Sequence, residues 1–229
     1  MADQNQRSEH NKESASTGFR CPSCGASCDD RIVYSQANLP VHSCLQPKSV
    51  KAALSIERRG LELVECVECG LVFNHRFDPS TQRFDGGYEE TQAYSPTFSC
   101  FSDQLANDLI ERWQPQGKTI IEIGCGKGDF LETLCRSGKC RGIGIDPAYE
   151  PGRRPPSSAV EFEQRLFSGS DIGRRADFLI CRHTLEHIGP VHEFLELVAR
   201  FCRAGGIQEV FFDVPDAGLI YVHPSRQTP

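Results

Sequence analysis

The sequence predicts an α/β protein in which helices cover a parallel β-sheet and a small cysteine-rich domain precedes that sheet. Between residues 101 and 216, short apolar runs alternate with amphipathic helical segments, the order that a parallel sheet requires. Two Cys-x-x-Cys-Gly units stand before these elements, and the first apolar run ends in closely spaced glycines. The 229 residues are enough for one medium and one small domain.

Charge and composition narrow the classes of function. The chain carries 31 acidic and 25 basic residues, a formal net charge of -6, which argues against a broad electrostatic surface for nucleic acid or anionic membrane. Residues 1–18 are polar, predict a disordered arm and show no signal peptide or membrane span. We therefore expect a cytoplasmic protein, in which the 12 cysteines bind metal or are buried rather than form disulfides.

The two Cys-x-x-Cys-Gly units predict a structural metal site, and residues 19–78 are expected to form a zinc-binding ribbon. Four thiolates suit tetrahedral zinc and leave no open coordination position; they belong to Cys21, Cys24, Cys66 and Cys69. Three residues between the pairs remain alternative ligands, namely Cys28, His42 and Cys44. A redox-active Cys-x-x-Cys is disfavoured because no thioredoxin-like βαβ pattern surrounds either pair.

An irregular connector and a helix follow the ribbon. Residues 79–100 are rich in Asp, Gly, Gln and aromatic side chains and predict the connector. A helix over Phe101–Trp113 is predicted because Leu105 and Leu109 recur at helical spacing. Ser102 or Asp103 is its expected N-cap.

The remaining elements alternate between strand and helix. The pattern predicts strands over 119–123, 141–145, 160–163, 177–181 and 207–214, and helices over 129–137 and 191–203. Ligands of such a sheet lie at the carboxyl ends of its strands. The residues directly after the strands are therefore the candidate site, and titratable groups concentrate in the segment Arg182–His187.

The glycine-rich turn Gly124–Gly128 predicts a site for a nucleotide-type cofactor. Closely spaced glycines between a strand and a helix bring bare backbone next to a ligand, where a Cβ would collide with it. The dinucleotide fingerprint is disfavoured because Asp129 replaces its last glycine, and the Gly-Lys-Ser/Thr ending of a phosphate loop is absent. Asp146 ends the next strand and is expected to accept hydrogen bonds from the hydroxyls of a ribose.

An acidic residue followed by Gly-x-Gly-x-Gly resembles motif I of the class I S-adenosylmethionine (SAM) methyltransferases. The resemblance implies a Rossmann-like SAM-binding domain over residues 101–216, with five recognisable strands. It also implies a set of cofactor-binding residues: Glu122, Gly124, Cys125, Gly126, Gly128, Asp146 and His183. Cys125 is expected to be a small filler between glycines rather than a nucleophile.

The order of the motifs resembles one group more closely. The two cysteine units, the connector ending in Tyr94–Phe98, the glycine loop and Arg182–His187 are similar to those of zinc-binding C-methyltransferases that act on nucleotide-linked keto-deoxysugars. The resemblance implies methyl transfer from SAM to such a small molecule. It implies His187 as the base that removes the proton beside the ketone, Glu186 as its orienting partner, and Tyr94 or Tyr88 as donor to the enolate oxygen.

Other interpretations of the same residues stay open. A catalytic zinc on His183 and His187 is disfavoured because no His-Glu-x-x-His order is present, and residues 185–188 alternatively just begin the next helix. Members of the group continue past the fifth strand, whereas residues 217–229 predict an irregular tail. The alternative function is therefore a non-catalytic zinc-ribbon and Rossmann-like binding or scaffold protein left by C-terminal truncation. RNA modification is disfavoured by the acidic balance.

Overall fold

The computed structural model describes residues 18–28, 31–42, 47–81, 92, 94–152, 159–207 and 209–216. The predicted arm lies outside the described residues except for Gly18, as do Cys44, Tyr88 and the predicted tail. Within the described ranges, no helix combines the length and the apolar character needed to cross a membrane.

The cysteine-rich region forms two small antiparallel sheets. The bounds of its elements are β1 Phe19–Arg20, β2 Ser27–Cys28, β3 Ile32–Pro40, α1 Val50–Leu54, β4 Arg58–Glu65 and β5 Val72–Asn74. Strand β1 pairs with β2, and β4 lies between β3 and β5. The buried cluster of this region is small and mostly thiol, comprising Cys21, Cys28, Val64 and Cys66. Because so little apolar area is buried, we expect a metal to supply much of the stability.

Helix α2 covers Pro96–Trp113, so it begins five residues before the predicted start. Its N-cap is Ser95, whose hydroxyl oxygen accepts a hydrogen bond from the amide of Phe98 at 3.3 Å. The predicted caps Ser102 and Asp103 are wrong, because the Ser-Pro pair is a stronger start signal. Serine supplies the acceptor, and a proline in the first turn has no amide that needs one.

The second region is an α/β domain with a five-stranded parallel sheet in its described residues. Its elements are β6 Thr119–Ile123, α3 Asp129–Gly138, β7 Arg141–Ile145, β8 Val160–Glu163, β9 Phe178–Arg182, α4 Val191–Gly205 and β10 Glu209–Asp213. The strand order is β10-β9-β6-β7-β8, and every pairing is parallel. This confirms the predicted Rossmann-like sheet, with the last strand shorter than predicted.

Both faces of the sheet are covered because neighbouring residues of a strand point to opposite faces. Ile120 belongs to the cluster formed with α2 and α3, whereas Ile121 belongs to the cluster formed with α4. Trp113 closes the first cluster by stacking on Phe178, with ring centroids 4.7 Å apart. The chain order reverses between β6 and β9, which opens a crevice at the carboxyl ends of those strands.

Candidate functional site

A cavity of about 930 Å³ lies at the carboxyl ends of β6, β7 and β9. It brings together most of the residues predicted to form the site: Glu122, Gly124, Cys125, Gly126, Asp146, His183, Glu186 and His187. Gly128 and Tyr94 are not among the described residues that line it. Tyr94 is 83% exposed and stands directly before the cap of α2, so the structure does not bring the predicted enolate donor to the cavity wall.

The glycine loop is shaped by side chains of the protein itself. Gly124 and Gly128 both have positive φ angles, 73° and 84°. A Cβ at Gly124 would overlap the side chain of Thr184, and a Cβ at Gly128 would overlap the ring of Phe162. At these two positions a side chain would therefore collide with the protein itself, with atoms of β8 and of the turn after β9, and the expected collision with a ligand stays a prediction.

Asp146 joins the glycine loop to the segment that follows β7. Its Oδ2 accepts a hydrogen bond from the amide of Gly126 at 2.8 Å, and its Oδ1 accepts one from the amide of Ala148 at 2.6 Å. A carboxylate has about four lone-pair sites, so each oxygen keeps acceptor capacity for a hydroxyl. The half-buried Asp146 can hold the loop and bind a ribose at the same time.

Lys127 is a buried part of the site that sequence reasoning missed. Its side chain is 1% exposed, and Nζ donates hydrogen bonds to the carbonyl of Ala148 and to Oε1 of Glu150, both at 2.9 Å. The buried lysine therefore links the glycine loop to residues 146–150 through these two hydrogen bonds. Its only sequence signal was its position between two glycines of the loop, and this position does not predict burial of the side chain.

Glu122 and Arg182 are buried charged residues on the cavity wall with unpaired atoms. Glu122 is 2% exposed, and burial raises the pKa of its carboxyl to about 8, although Arg182 acts in the opposite direction. Its Oε2 has no hydrogen-bond partner in the part of the chain that the structure describes. Nη2 of Arg182 also lacks one among those residues. Glu122 could accept a hydrogen bond from a cationic group of a ligand, and Arg182 could donate one to a carboxylate of the same ligand.

Asp213 is the second residue that sequence reasoning missed. It ends β10 opposite Arg182 and accepts a hydrogen bond from its Nε at 3.1 Å, while the guanidinium lies 4.0 Å from the ring centroid of Phe130. Asp213 also lies 3.4 Å from Nε2 of His183. Arg182 and Asp213 come together because β9 pairs with β10, so a local sequence pattern could not predict this contact.

His183 lies between two carboxylates at the end of β9. Its Nδ1 is 3.8 Å from Oε1 of Glu186, on the opposite side from Asp213. Its φ angle of 46° is uncommon for a residue other than glycine, and such conformations cluster at functional sites. The ring of Phe98, from the first turn of α2, lies 6.4 Å from the imidazole.

His187 ends a separate 3-10 helix over Leu185–His187. Its amide donates to the carbonyl of Thr184 at 2.9 Å. Helix α4 begins only at Val191, after Gly189 and Pro190. The interpretation that residues 185–188 begin the next helix is therefore wrong, because Pro190 separates the two turns.

The four predicted metal ligands form one compact group. Their sulfur atoms all lie within 4.8 Å of one another, and the Cys21–Cys69 and Cys24–Cys66 sulfur pairs are both 3.6 Å apart. Zinc–sulfur bonds of about 2.3 Å place the sulfurs of a tetrahedral site roughly 3.8 Å apart. The amide of Cys69 lowers the pKa of Cys66, against the effect of burial, whereas burial and contacts with the other sulfurs raise the pKa of Cys69.

The turns of the two Cys-x-x-Cys-Gly units, and the positions of the alternative ligands, support the assignment of these four cysteines as one group. Gly25 and Gly70 have φ angles of 73° and 74°, and their amides donate to the carbonyls of Cys21 and Cys66. Two of the three alternative ligands are described, and neither belongs to the group. The sulfur of Cys28 lies 3.8 Å from the carbonyl of Ala26, and Nε2 of His42 lies 2.7 Å from the carbonyl of Thr81.

Comparison with known proteins gives relatives of one kind. The chain is 31% identical over 98 residues to a ubiquinone biosynthesis O-methyltransferase of Methylobacterium sp. (strain 4-46), covering 40% of this chain and 39% of that protein. It is 28% identical over 104 residues to the protein of the same description from Salmonella newport (strain SL254), covering 42% of each. The chain thus spans about two fifths of the length of the curated relatives it matches.

Solved structures with some likeness include two methyltransferases. The plantazolicin methyltransferase BpumL, in complex with a triazolic desmethylPZN analog and SAH, has a TM-score of 0.44 at 15% identity, covering 59% of this chain and 54% of that one. The magnesium protoporphyrin IX methyltransferase of Synechocystis PCC 6803, with bound SAM, has a TM-score of 0.39 at 16% identity, covering 58% and 74%.

A family profile described as a methyltransferase domain matches residues 100–227, more than half of the chain. The match contains the sheet, the glycine loop and the segment after β9. The sequence motif, the strand order and the position of the cavity agree with it. The chain belongs to the family of class I SAM-dependent methyltransferase domains.

Proposed function

We propose that this protein transfers a methyl group from SAM to a small-molecule acceptor in the cavity at the ends of β6 and β9. The observation that carries the proposal is the meeting of the glycine loop with two buried ionisable side chains on one cavity wall, each with an atom that has no hydrogen-bond partner among the described residues. Glu122 would attract the ammonium of the methionyl part and Arg182 its carboxylate, while Asp146 would accept from the ribose. When bound, SAM supplies an electrophilic methyl group on a sulfonium, so the protein mainly aligns donor and acceptor.

Calorimetric titration with SAM and with its demethylated product tests the cofactor assignment. We expect both to bind, and Asp146→Ala to weaken both, because it removes the ribose acceptor and also releases the amide of Gly126. Binding without turnover on any acceptor would favour the alternative of a binding or scaffold protein. A flat titration for both compounds would overturn the proposed function.

The proton of the acceptor requires a base, and we assign this role to His187, with His183 on the cofactor side. Both imidazoles line the cavity, and histidine is the side chain that most often serves as a general base. His187→Ala is expected to lose methyl transfer while it keeps SAM binding. The matched control is His192→Ala, because His192 is an exposed histidine whose side chain pairs with Glu196 on α4 and does not line the cavity. Full activity of His187→Ala would remove the assignment.

Two classes of acceptor fit the proposal. The motif order favours carbon methylation of a nucleotide-linked keto-sugar, while the similarity to ubiquinone biosynthesis O-methyltransferases favours methylation of a hydroxyl. Isotope-labelled SAM followed by NMR of the product separates a methyl on carbon from a methyl on oxygen. In deuterated water, only the keto-sugar route lets the base exchange the proton beside the ketone. Product from hydroxyl acceptors alone would overturn the sugar assignment.

We further propose that the four-cysteine group holds one structural zinc ion. The support is the compact sulfur group, in which each sulfur has a neighbour at 3.6 Å. Metal analysis of the purified protein is expected to give one equivalent of zinc, and Cys24→Ser is expected to lose it. Cys100→Ser, which changes an exposed thiol on α2, is the control and should retain the metal. Well under one equivalent in the unaltered protein would contradict the assignment.

A further inference from the structure

We propose that the first cysteine knuckle, residues Cys21–Gly25, serves as the N-terminal cap of α4 and thereby holds one wall of the cofactor cavity. The carbonyl of Pro22 accepts a hydrogen bond from the amide of His192 at 3.0 Å. Pro22 stands between two of the metal ligands, so its position depends on the metal. The inference relies on the proposed function for the identity of the metal and of the cofactor.

The first backbone amides of helix α4 need a hydrogen-bond acceptor from another part of the chain, because the residues at the start of the helix provide few acceptors themselves. The first amides of a helix have no partner within it, and a serine, threonine or aspartate usually provides one. The N-cap of α4 is Pro190, which forms no side-chain cap among the described residues. The amide of Val191 is satisfied by Gly189 and that of Phe194 by Pro190. Among the residues that the structure describes, the amide of His192 has its acceptor in the other region, at the carbonyl of Pro22 in the knuckle.

A second contact joins the same two regions. Phe77 follows β5 in the cysteine-rich region and packs on Gly189, directly before α4. A Cβ added at Gly189 would lie 3.0 Å from Cε1 of the Phe77 ring, closer than most such contacts. The cysteine-rich region therefore contacts both the loop before α4 and the first turn of the helix.

The same segment forms part of the cavity wall. Six of its residues line the cavity: Ile188, Gly189, Pro190, Glu193, Phe194 and Leu197. A helix end that loses its cap frays in the first turn, and a binding-competent state that is only partly populated lowers apparent affinity in proportion. Loss of the metal should therefore loosen the first turn of α4 and weaken cofactor binding, although no metal ligand contacts the cavity.

Hydrogen exchange of the amides at 191–194 tests this directly, with metal content and SAM affinity measured on the same samples. In the zinc-loaded protein the amide of His192 is expected to be protected. In Cys24→Ser it should exchange roughly fivefold faster or more, the factor expected for loss of a helix cap. SAM affinity should fall by up to a similar factor, roughly fivefold. Cys100→Ser should change neither.

Phe77→Ala provides a perturbation that leaves all four cysteines in place. It should retain zinc and yet raise exchange at 191–194, while amides of β6 remain protected and report that the domain is folded. If Cys24→Ser unfolds the whole chain, Phe77→Ala decides the question. Unchanged exchange at His192 in a folded zinc-free variant would overturn the inference. A zinc-loaded protein that binds no SAM would refute the proposed function, and the exchange data would still test the cap.

Discussion

Glu122→Gln offers a direct test of the buried carboxyl on the cavity wall. Burial raises the pKa of Glu122 from its ordinary 4.5 to about 8, so near neutral pH this group is protonated in the folded protein and ionised in the unfolded chain. Unfolding then releases a proton, and raising the pH favours the unfolded state. The stability contributed by this carboxyl is complete below its ordinary pKa and is lost as the pH rises toward about 8.

The size of the effect follows from the two pKa values. Between them, each pH unit changes the free energy of unfolding by about 1.4 kcal/mol for one such group. From about pH 5 to about pH 7 the unaltered protein should therefore lose roughly 2 kcal/mol relative to Glu122→Gln, whose amide has the same shape and does not titrate. Other titrating groups cancel in this difference because both proteins carry them.

Urea unfolding of both proteins, followed by circular dichroism across this pH range and without cofactor, measures the difference. We expect the two stabilities to be similar at the acidic end and the variant to become the more stable protein near neutral pH. The same variant should bind SAM roughly tenfold more weakly, because the ammonium of bound SAM favours the ionised carboxylate of Glu122 and an amide cannot ionise. Parallel stability curves at all pH values would refute the reasoning that the folded protein buries a neutral carboxyl.

Three further perturbations follow from contacts in the α/β domain. Gly128→Ala should destabilise the protein by about 2 kcal/mol in urea unfolding, through the positive φ angle and the overlap with Phe162, and adding Phe162→Ala should restore only part of this. Lys127→Met should leave the fold intact but weaken SAM binding measured by calorimetry, because residues 146–150 lose their two hydrogen bonds from Nζ. Unchanged affinity for SAM would contradict that role. Asp171→Asn should cost about 2 kcal/mol, since it weakens the hydrogen-bonded ion pair between the buried Asp171 and the half-buried Arg165. The pKa of Asp171 is lowered to about 2, because hydrogen bonds from Arg165 and Ser168 outweigh burial, so its contribution should disappear as the pH falls toward that value in acid denaturation.

Local sequence patterns were sufficient for the strands and helices of the parallel sheet domain and for the residues after each strand. The strand at Thr119–Ile123 was visible because its apolar run ends in glycine, and β7 because Asp146 and Pro147 end it. The parallel sheet could be expected from the alternation of strands and helices, and its Rossmann-like arrangement was implied by the resemblance. The spacing within the two Cys-x-x-Cys-Gly units was likewise sufficient to predict that their four sulfur atoms lie close together.

The residues that escaped prediction owe their positions to contacts between distant parts of the chain. Arg182 and Asp213 meet only because β9 and β10 pair in register, and Lys127 acquires its role only from the path of residues 146–150. The start of α2 was missed because apolar spacing begins later than the Ser95 cap does. Tyr94 was placed at the site by resemblance, and its exposure depends on the course of the connector, which no periodicity encodes.

The contacts of the glycine loop bear on how such motifs are used to infer function. Thr184 and Phe162 occupy the space that side chains at Gly124 and Gly128 would need, so a relative that had stopped binding any nucleoside would still have to keep both glycines to fold. Survival of the motif in a divergent sequence therefore reports that the architecture persists. Loss of cofactor use would appear first at Glu122, whose buried carboxyl leaves an oxygen without a partner among the described residues and which selection for stability alone would replace.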